Sequence, residues 1–293
     1  MDIVHHTLIG GAGFIAGVGG GNELAGAAFL GGSVLPDLDV FFMIFGKRFY
    51  LRNHQGPTHS LILSPILAAM IAGPLLYLSE FNVTIVAAAL FGLWAHIFLD
   101  WINTFGISLF WPLTPKRFSL NAVFFIDLPA WLITLGFYAH YFFRGNRGVA
   151  YAYGLIFSLY VFLRIMLYLY VRRKLDSTLI VPSSFNPFGF FVLQETGNGI
   201  ETYYYNFITR IITDRDTYQA PSKKYVEMAE KSKVFRDISK IMKYFQITDV
   251  SEDHGGTTIV AHDLGIRNFG GKFGRTILKF DQDGALESET ANI

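Results

Sequence analysis

The chain has 293 residues, of which 52% are hydrophobic, 16% aromatic and only 16% charged. Its mean hydropathy of +0.36 is far from that of an ordinary soluble domain. Because 24 Lys and Arg balance 23 Asp and Glu, the net charge of +1 gives no field that would attract nucleic acid. The absence of cysteine excludes disulfides and thiolate ligands, so only imidazoles and carboxylates remain for a metal site.

Acidic residues divide the chain into two halves. Residues 1–174 contain seven acids and residues 175–293 contain sixteen. This difference predicts a membrane-embedded domain over residues 1–175, followed by a small soluble α+β domain over residues 176–293. Four hydrophobic runs in the first domain are each close to the roughly 20 residues that cross a bilayer core, which predicts four transmembrane helices. These runs lie near 59–79, 83–103, 123–143 and 149–171.

A region rich in Gly and Ala, residues 7–36, precedes these runs. The polar pair Asn22-Glu23 divides it into two apolar pieces that are short for full spans, which predicts an N-terminal helical hairpin. No basic segment precedes it and no clean cleavage site follows it, so a removable signal peptide is the weaker alternative.

Basic residues predict the orientation in the membrane. With four spans, one side carries Lys47, Arg48, Arg52, Lys116, Arg117 and the run Arg172–Lys174. The other side carries Arg144 and Arg147. The positive-inside rule therefore predicts a multi-pass membrane protein whose C-terminal domain is cytoplasmic.

The soluble half has the signals of a mixed α and β domain. Apolar runs at 188–194 and 200–208 flank the turn Thr196–Gly199, which predicts a β-hairpin. An amphipathic pattern predicts a helix over about 222–244, and further strands are expected at 257–262 and 275–281.

Four acids of the membrane half lie inside or at the ends of apolar segments, where ionisable groups are costly and are usually paired or functional. They are Asp37, Asp39, Asp100 and Asp127. The predicted topology places all four on the cytoplasmic side. The histidines predicted on the same side are His54, His59 and His96, joined by His5 and His6 if the hairpin returns to its starting face.

The spacing of these residues suits metal binding. His96 and Asp100, at positions i and i+4, project from one helical face, although this pair alone is equally consistent with a hydrogen bond within the helix. Gly56 and Pro57 force a turn between His54 and His59. Asp37 and Asp39 would point to the same side of an extended stretch. Ligation by imidazole and carboxylate favours zinc, manganese or iron over calcium.

These motifs also resemble a known family. The segments are GGSVLPDLD at 31–39, HQGPTHSL at 54–61, HIFLDWINTFG at 96–106, Arg117-Phe118 and Phe125–Asp127. In this order they resemble the signatures of the YdjM-type family of bacterial and archaeal inner-membrane proteins, described as membrane-bound metal-dependent hydrolases. The resemblance covers about residues 1–175. Gln55 departs from the family pattern, in which arginine is expected, so an anion-binding role is not expected at that position.

The residues and the resemblance together predict a divalent transition metal, most readily zinc with manganese or iron as alternatives. The predicted activity is hydrolysis by metal-activated water of a lipid or other amphipathic ester, with a phosphoester favoured. The expected ligands are His54, His59, His96, Asp100 and Asp39, with His6 as a further candidate. Four other residues are expected to serve catalysis: Asp37 bridging or supporting the ligands, Asp127 as a ligand or general base, Asn103 orienting ligands, and Arg117. Arg117 is either a loop charge that sets orientation or a clamp for an anion.

Two alternatives remain open. A non-catalytic membrane regulator or assembly factor would keep a structural metal whose coordination is saturated by protein. An ion transporter would need polar residues in mid-membrane and repeated halves, and the sequence has neither. The expected partners are the lipid bilayer and a lipid-like substrate, and nucleic acid is not expected.

Overall fold

A computed structural model describes residues 2–46, 49–50, 53–79, 82–175, 179–242, 244–253, 255–265 and 274–292. It divides the chain into two compact units. The helical unit comprises Met1–Tyr170 and Ser184–Pro187, and the sheet unit comprises Val171–Ser183 and Phe188–Ile293. Three basic residues used to predict the orientation, Lys47, Arg48 and Arg52, lie outside the described residues.

The described N-terminal part is helical. Its α-helices are α1 (Ile3–Gly19), α2 (Glu23–Val34), α3 (Ser64–Tyr77), α4 (Val83–Trp101), α5 (Leu128–Arg144) and α6 (Val149–Leu175). Two 3₁₀ segments, Leu35–Phe45 and Pro57–His59, lie between α2 and α3. Helix α6 continues from the helical unit into the first residues of the sheet unit.

Helices α1 and α2 form the N-terminal hairpin that the sequence predicts. Asp2 begins α1 by accepting a hydrogen bond from the backbone N–H of His5 at 3.0 Å. Gly21, with φ of +73°, makes the turn that glycine adopts without steric cost, and Asn22 then caps α2 by accepting from the backbone N–H of Ala25. The polar break at residues 22–23 therefore marks the tip of the hairpin.

Three described helices are long and apolar enough to cross a membrane, namely Glu23–Phe45, Val83–Trp101 and Val149–Leu175. The last two fall on predicted spans, whereas the first lies largely in the region predicted as a short hairpin. Helices α3 and α5 are shorter than their predicted runs, with 14 and 17 residues. Residues 57–63 form a 3₁₀ turn and further turns before α3, and α5 begins only after its cap Asp127.

Small residues bring α2 and α4 into close contact. A Cβ atom on Gly32 would overlap the carbonyl oxygen of Ala89, and one on Gly92 would overlap that of Phe29. Ala28 and Ala89 are completely buried in the same core. Membrane helices commonly pack through such small residues because their backbones can then approach closely. The contact fixes the position of α4 relative to the end of α2.

We expect Gly32→Ala to lower the free energy of unfolding by about 1–3 kcal/mol, because the added methyl group must separate two helix backbones. Thermal or denaturant unfolding in detergent measures this change. Gly136→Ala is the matched control, since a Cβ atom on Gly136 of α5 meets nothing within 4 Å. Equal free energies of unfolding for the two variants would contradict the prediction, because they would show that the backbones of α2 and α4 can move apart without loss of stability.

The connection between α4 and α5 is an ordered loop. Isolated bridges pair Asn103 with Val123 and Ile107 with Phe118. Gly106 has a φ of +67°, and its Cα lies so close to the backbone of Phe118 that a Cβ atom would come within 2.7 Å of that carbonyl oxygen. These contacts hold the segment that carries Arg117 against the end of α4.

The described part of the C-terminal half contains two four-stranded antiparallel sheets and two helices, which is the α+β composition that the sequence predicts. The first sheet contains β1 (Leu179–Pro182), β2 (Gly189–Thr196), β3 (Gly199–Asn206) and β4 (Ile212–Gln219). The second contains β5 (Phe245–Asp253), β6 (Gly256–Asp263), β7 (Arg275–Phe280) and β8 (Leu286–Asn292). In each sheet the strands follow the chain order.

The predicted helix over 222–244 is instead two helices, α7 (Lys223–Ala229) and α8 (Lys233–Ile241). Ser232 is the reason for the division, because its hydroxyl accepts a hydrogen bond from the backbone N–H of Phe235 and starts a new helix. Phe235 packs in a core with strand residues such as Ile259.

Candidate metal centre

Four side chains from three separate segments converge within the helical unit. Asp37, His59, His96 and Asp100 each offer one nitrogen or oxygen atom, and these atoms all lie within 4.8 Å of one another. We call these residues the four-residue group. His59, His96 and Asp100 are at most 1% exposed, whereas Asp37 is 8% exposed. The solvent-facing side of the group is therefore the side of Asp37.

The distances within the four-residue group match the size of a metal coordination shell. The two imidazole Nε2 atoms are 3.2 Å apart. Asp100 Oδ2 lies 3.3 Å from His59 Nε2 and 3.7 Å from His96 Nε2, and Asp37 Oδ1 lies 3.8 and 3.6 Å from the same two nitrogens. Ligands bound at about 2.0–2.1 Å around tetrahedral zinc are about 3.3 Å from one another. The group therefore fits one first-row metal ion.

Secondary structure explains how these residues meet. His96 and Asp100 lie one turn apart on α4, as their spacing predicts. His59 ends the short 3₁₀ turn that Pro57 begins. Asp37 follows Pro36 in the 3₁₀ segment after α2. That segment is not extended as the sequence prediction assumed.

A 3₁₀ helix has three residues per turn, so residues two apart point in different directions. Asp37 therefore reaches the four-residue group, whereas Asp39 turns towards the loop at 54–58. Asp39 Oδ1 lies 2.8 Å from His54 Nδ1, and Asp39 Oδ2 accepts from the backbone N–H of Gln55 and the hydroxyl of Thr58. The two predicted ligands Asp39 and His54 thus bond to each other and hold this turn in place.

The hydrogen bonds of the two imidazoles define which nitrogen is free to bind metal. His96 Nδ1 donates to the carbonyl oxygen of Ser33 at 2.8 Å. His59 Nδ1 donates to Thr58 Oγ1 at 3.0 Å, and Thr58 in turn donates to Asp39. In neutral imidazoles this leaves an unprotonated Nε2 on each ring, and the two lone pairs face each other across 3.2 Å. Two facing lone pairs repel each other, and either a proton or a metal cation between the nitrogens removes that repulsion.

Charge and unsatisfied oxygen atoms agree with a cation site. If Asp37, Asp39 and Asp100 are all ionised and the imidazoles are neutral, these carboxylates and the guanidinium of Arg117 together carry a net charge of −2. Buried charge of this size needs compensation, and one divalent cation supplies it. Asp37 Oδ2 is buried and has no hydrogen-bond partner among the described residues. The donor set, the distances and the charge therefore fit a divalent transition metal.

His6 supports the group from α1. Its Nε2 lies 3.0 Å from Asp100 Oδ1, and its ring stacks on His96 with centroids 3.8 Å apart. The predicted ligand His6 thus holds one oxygen of Asp100 while the other faces His59. Its neighbour His5 points elsewhere, because it bonds to Thr134 and packs against Trp131.

Two residues expected to serve catalysis have other partners. Asp127 caps α5 by accepting from the backbone N–H of Ala130, accepts from the hydroxyl of Tyr160 at 2.5 Å, and lies 3.4 Å from Arg164. Asn103 accepts from the backbone N–H of Thr104 within the loop after α4. Within the described chain, neither belongs to the four-residue group.

Gln55 links the group to Arg117. Its Nε2 donates to Asp100 Oδ2 at 3.4 Å, and its Oε1 accepts from Arg117. Burial lowers the pKa of Arg117, while the carboxylates of Asp100 and Asp39 raise it, and guanidinium remains cationic near neutral pH. Sequence reasoning missed the role of Gln55, because an amide carries no signal of its own until its neighbours are known.

An apolar crevice of about 550 Å³ lies between α1, α4 and α6, away from the metal group. On α4 its lining includes Trp94, Ala95 and Phe98. At 100° per residue, these three point to the side of the helix opposite His96 and Asp100. The crevice is therefore a separate feature of the membrane half.

Comparison with known proteins agrees with these features. Residues 1–171 match the model of the family described as YdjM inner membrane protein. Over 152 residues the chain is 29% identical to the uncharacterised protein YfhP of Bacillus subtilis (strain 168), and the aligned region covers 50% of this chain and 46% of that protein. No solved structure matches the chain. The matched region contains the four-residue group and all three helices that are long enough to cross a membrane, apart from the last residues of α6.

Proposed function

Since the chain belongs to the YdjM inner membrane protein family, we propose that it is a membrane-bound, metal-dependent hydrolase of a lipid or other amphipathic ester or phosphoester. The observation that carries this proposal is the four-residue group, in which Asp37, His59, His96 and Asp100 meet within 4.8 Å. The family match and three helices of sufficient length make it a membrane protein. A substrate held in the bilayer would explain why the site is built at the end of membrane helices.

The four-residue group would hold the metal, with zinc as the first candidate and manganese or iron as the others. A bound divalent ion lowers the pKa of water towards neutrality and polarises the scissile group. His6 and Ser33 keep Asp100 and His96 in position through the contacts described above. Such supporting hydrogen bonds orient ligands and tune the metal that they bind.

His54 is the residue of this site best placed to accept and return a proton. Its Nδ1 is bonded to Asp39, its side chain is 30% exposed, and its ring centroid lies 6.5 Å from that of His59. An imidazole oriented by a carboxylate and reachable from solvent is a usual general base. We therefore assign proton transfer to His54 Nε2, in place of the earlier expectation for Asp127.

The proposed location is the cell inner membrane with the metal site and the C-terminal half on the cytoplasmic side. Lys116 and Arg117 lie in the loop between α4 and α5, where Arg117 donates a hydrogen bond to Gln55, and Arg172–Lys174 lie in the last turn of α6. Arg144 ends α5 and Arg147 follows in the turn before α6, on the side that the proposed topology places away from the cytoplasm. The excess of basic residues on the proposed cytoplasmic side follows the positive-inside rule.

One observation favours a second candidate function, a non-catalytic regulator with a structural metal. Four protein ligands saturate a tetrahedral zinc ion, and structural zinc sites are closed in this way. A catalytic site would instead leave one coordination position for water, and Asp37 is the most exposed member of the group. The coordination number of the bound metal therefore separates the two functions.

We expect the full chain, purified in detergent, to hydrolyse at least one class of membrane ester or phosphoester. Activity should be lost with a chelator and restored by one divalent metal, because the proposed reaction depends on water activated by the metal. His54→Ala should retain the metal and lose most of the turnover. Turnover that survives complete removal of metal, or a saturated metal with no turnover of any lipid class, would contradict the proposal.

A further inference from the structure

The guanidinium of Arg117 is held firmly but is only partly satisfied. Its Nε donates to the carbonyl oxygen of Gly106 at 3.2 Å, and one terminal nitrogen donates to Gln55 Oε1. Arginine has five N–H donors, so three remain without a hydrogen-bond partner among the described residues. Within the same residues, no carboxylate lies within the 4.0 Å of an ion pair with Arg117.

The environment of Arg117 differs from that of a charged side chain on an exposed loop. Arg117 is partly buried, whereas its neighbour Lys116 is exposed. The loop that carries Arg117 is fixed by the bridge between Ile107 and Phe118 and by the close approach of Gly106 to Phe118. A half-buried guanidinium that is fixed in position and keeps N–H donors without a partner can donate them to the oxygens of an anion.

Arg117 also lies beside the metal group. Gln55 accepts from Arg117 with one end of its amide and donates to Asp100 Oδ2 with the other. The guanidinium is therefore two hydrogen bonds away from an expected metal ligand. A group bound to the remaining N–H donors of Arg117 would therefore be close to the four-residue group.

We propose that Arg117 forms an anion subsite that binds the phosphoryl oxygens of the substrate, and that Gln55 positions its guanidinium. The planar guanidinium of arginine can donate two parallel hydrogen bonds to two oxygens of a phosphoryl group. A neutral carboxylic ester has no negative charge to attract the guanidinium. The inference rests on the proposed function and narrows its substrates to phosphoesters. Of the two roles that the sequence leaves open for Arg117, a loop charge that sets orientation and a clamp for an anion, the proposal selects the second.

The test measures binding of inorganic phosphate to the metal-loaded full chain by calorimetry in detergent. We expect Arg117→Gln to weaken phosphate binding about 10-fold to 100-fold, because it removes charge-assisted hydrogen bonds. Arg117→Lys should retain only part of the phosphate affinity, since lysine keeps the positive charge and cannot donate two parallel hydrogen bonds. Lys116→Gln is the matched control, because it removes the same charge from the same loop and should leave the affinity unchanged.

Metal content and thermal unfolding are measured for every variant, so that a folding defect is distinguished from a lost subsite. Equal phosphate affinity in Arg117→Gln and Lys116→Gln, or no phosphate binding by the metal-loaded wild type, would overturn the proposal. Phosphate binding that depends on Arg117, without hydrolysis of any ester, would support the subsite and remove the proposed function.

A second arm identifies the source of the phosphoryl group. Short-chain phosphatidic acid and short-chain phosphatidylcholine compete with inorganic phosphate in the same detergent. A phosphatidic acid affinity above that of free phosphate, lost in Arg117→Gln, supports a lipid phosphomonoester. Competition by phosphatidylcholine alone, unchanged in that variant, would count against the subsite.

Discussion

Replacing His96 and Asp100 together by alanine will reduce the bound metal from about one ion per chain to none and bring ester hydrolysis down to background. The two residues supply two of the four candidate ligands, and both are buried at 1% exposure. Only Asp37 and His59 of the group would remain to bind the ion. Metal analysis of protein purified in detergent measures the first effect, and the lipid assay measures the second. Loss of ligands removes the ion because its affinity depends on their number and arrangement.

The matched control is His140→Ala, which removes an exposed histidine from α5 outside the group. It should keep the metal content and activity of the wild type. His6→Ala should weaken metal binding by about 10-fold to 100-fold and not abolish it, because His6 supports Asp100 by a hydrogen bond. Full metal content in the double variant would remove His96 and Asp100 from the ligand set.

Arg164→Met will lower the free energy of unfolding by about 3–5 kcal/mol, because it leaves the carboxylate of Asp127 buried without its cation. The side chains of Arg164 and Asp127 are 2% and 0% exposed, and their charged groups lie 3.4 Å apart. Arg164 also donates to the carbonyl oxygen of Pro187, so the substitution loosens the 184–187 segment as well. Unfolding in detergent measures the change, and the metal content should stay that of the wild type.

The double variant Asp127→Asn with Arg164→Met tests whether the charge pair is the cause. Asn still caps α5 and no longer carries a charge, so this variant should be more stable than Arg164→Met alone. An Asp127→Asn variant that loses its metal with unchanged stability would contradict this account and return Asp127 to the ligands that the sequence suggested.

The sequence predicts those parts of the site that depend on local spacing. His96 and Asp100 share a face of α4 because the α-helical period brings positions i and i+4 together. The turn around Gly56-Pro57 and the hairpin break at residues 22–23 follow from residues that interrupt helices. These features need no knowledge of distant contacts.

The sequence cannot choose between Asp37 and Asp39. Their directions depend on whether the chain after Pro36 is extended or 3₁₀, and the structure has the 3₁₀ form. Once the helix turns, Asp37 faces His59 and His96, and Asp39 faces His54. A difference of backbone conformation over three residues thus decides which of the two carboxylates joins the four-residue group.

Other roles depend on contacts between distant segments. Asp127 pairs with Arg164, 37 positions later, and Asp100 bonds to His6, 94 positions earlier. Neither partner follows from local pattern. Ser33 holds His96 through its backbone carbonyl, which carries no side-chain signal. Such supporting contacts become visible only when the helices are packed.

X-ray absorption at the metal edge of the full chain, purified with its metal, tests the central claim most directly. The four-residue group predicts two imidazoles and carboxylate oxygens around the ion, without sulfur, and one imidazole fewer in His59→Ala. A shell of oxygen atoms alone, or a shell that His59→Ala leaves unchanged, would contradict the claim that these four side chains hold one metal ion.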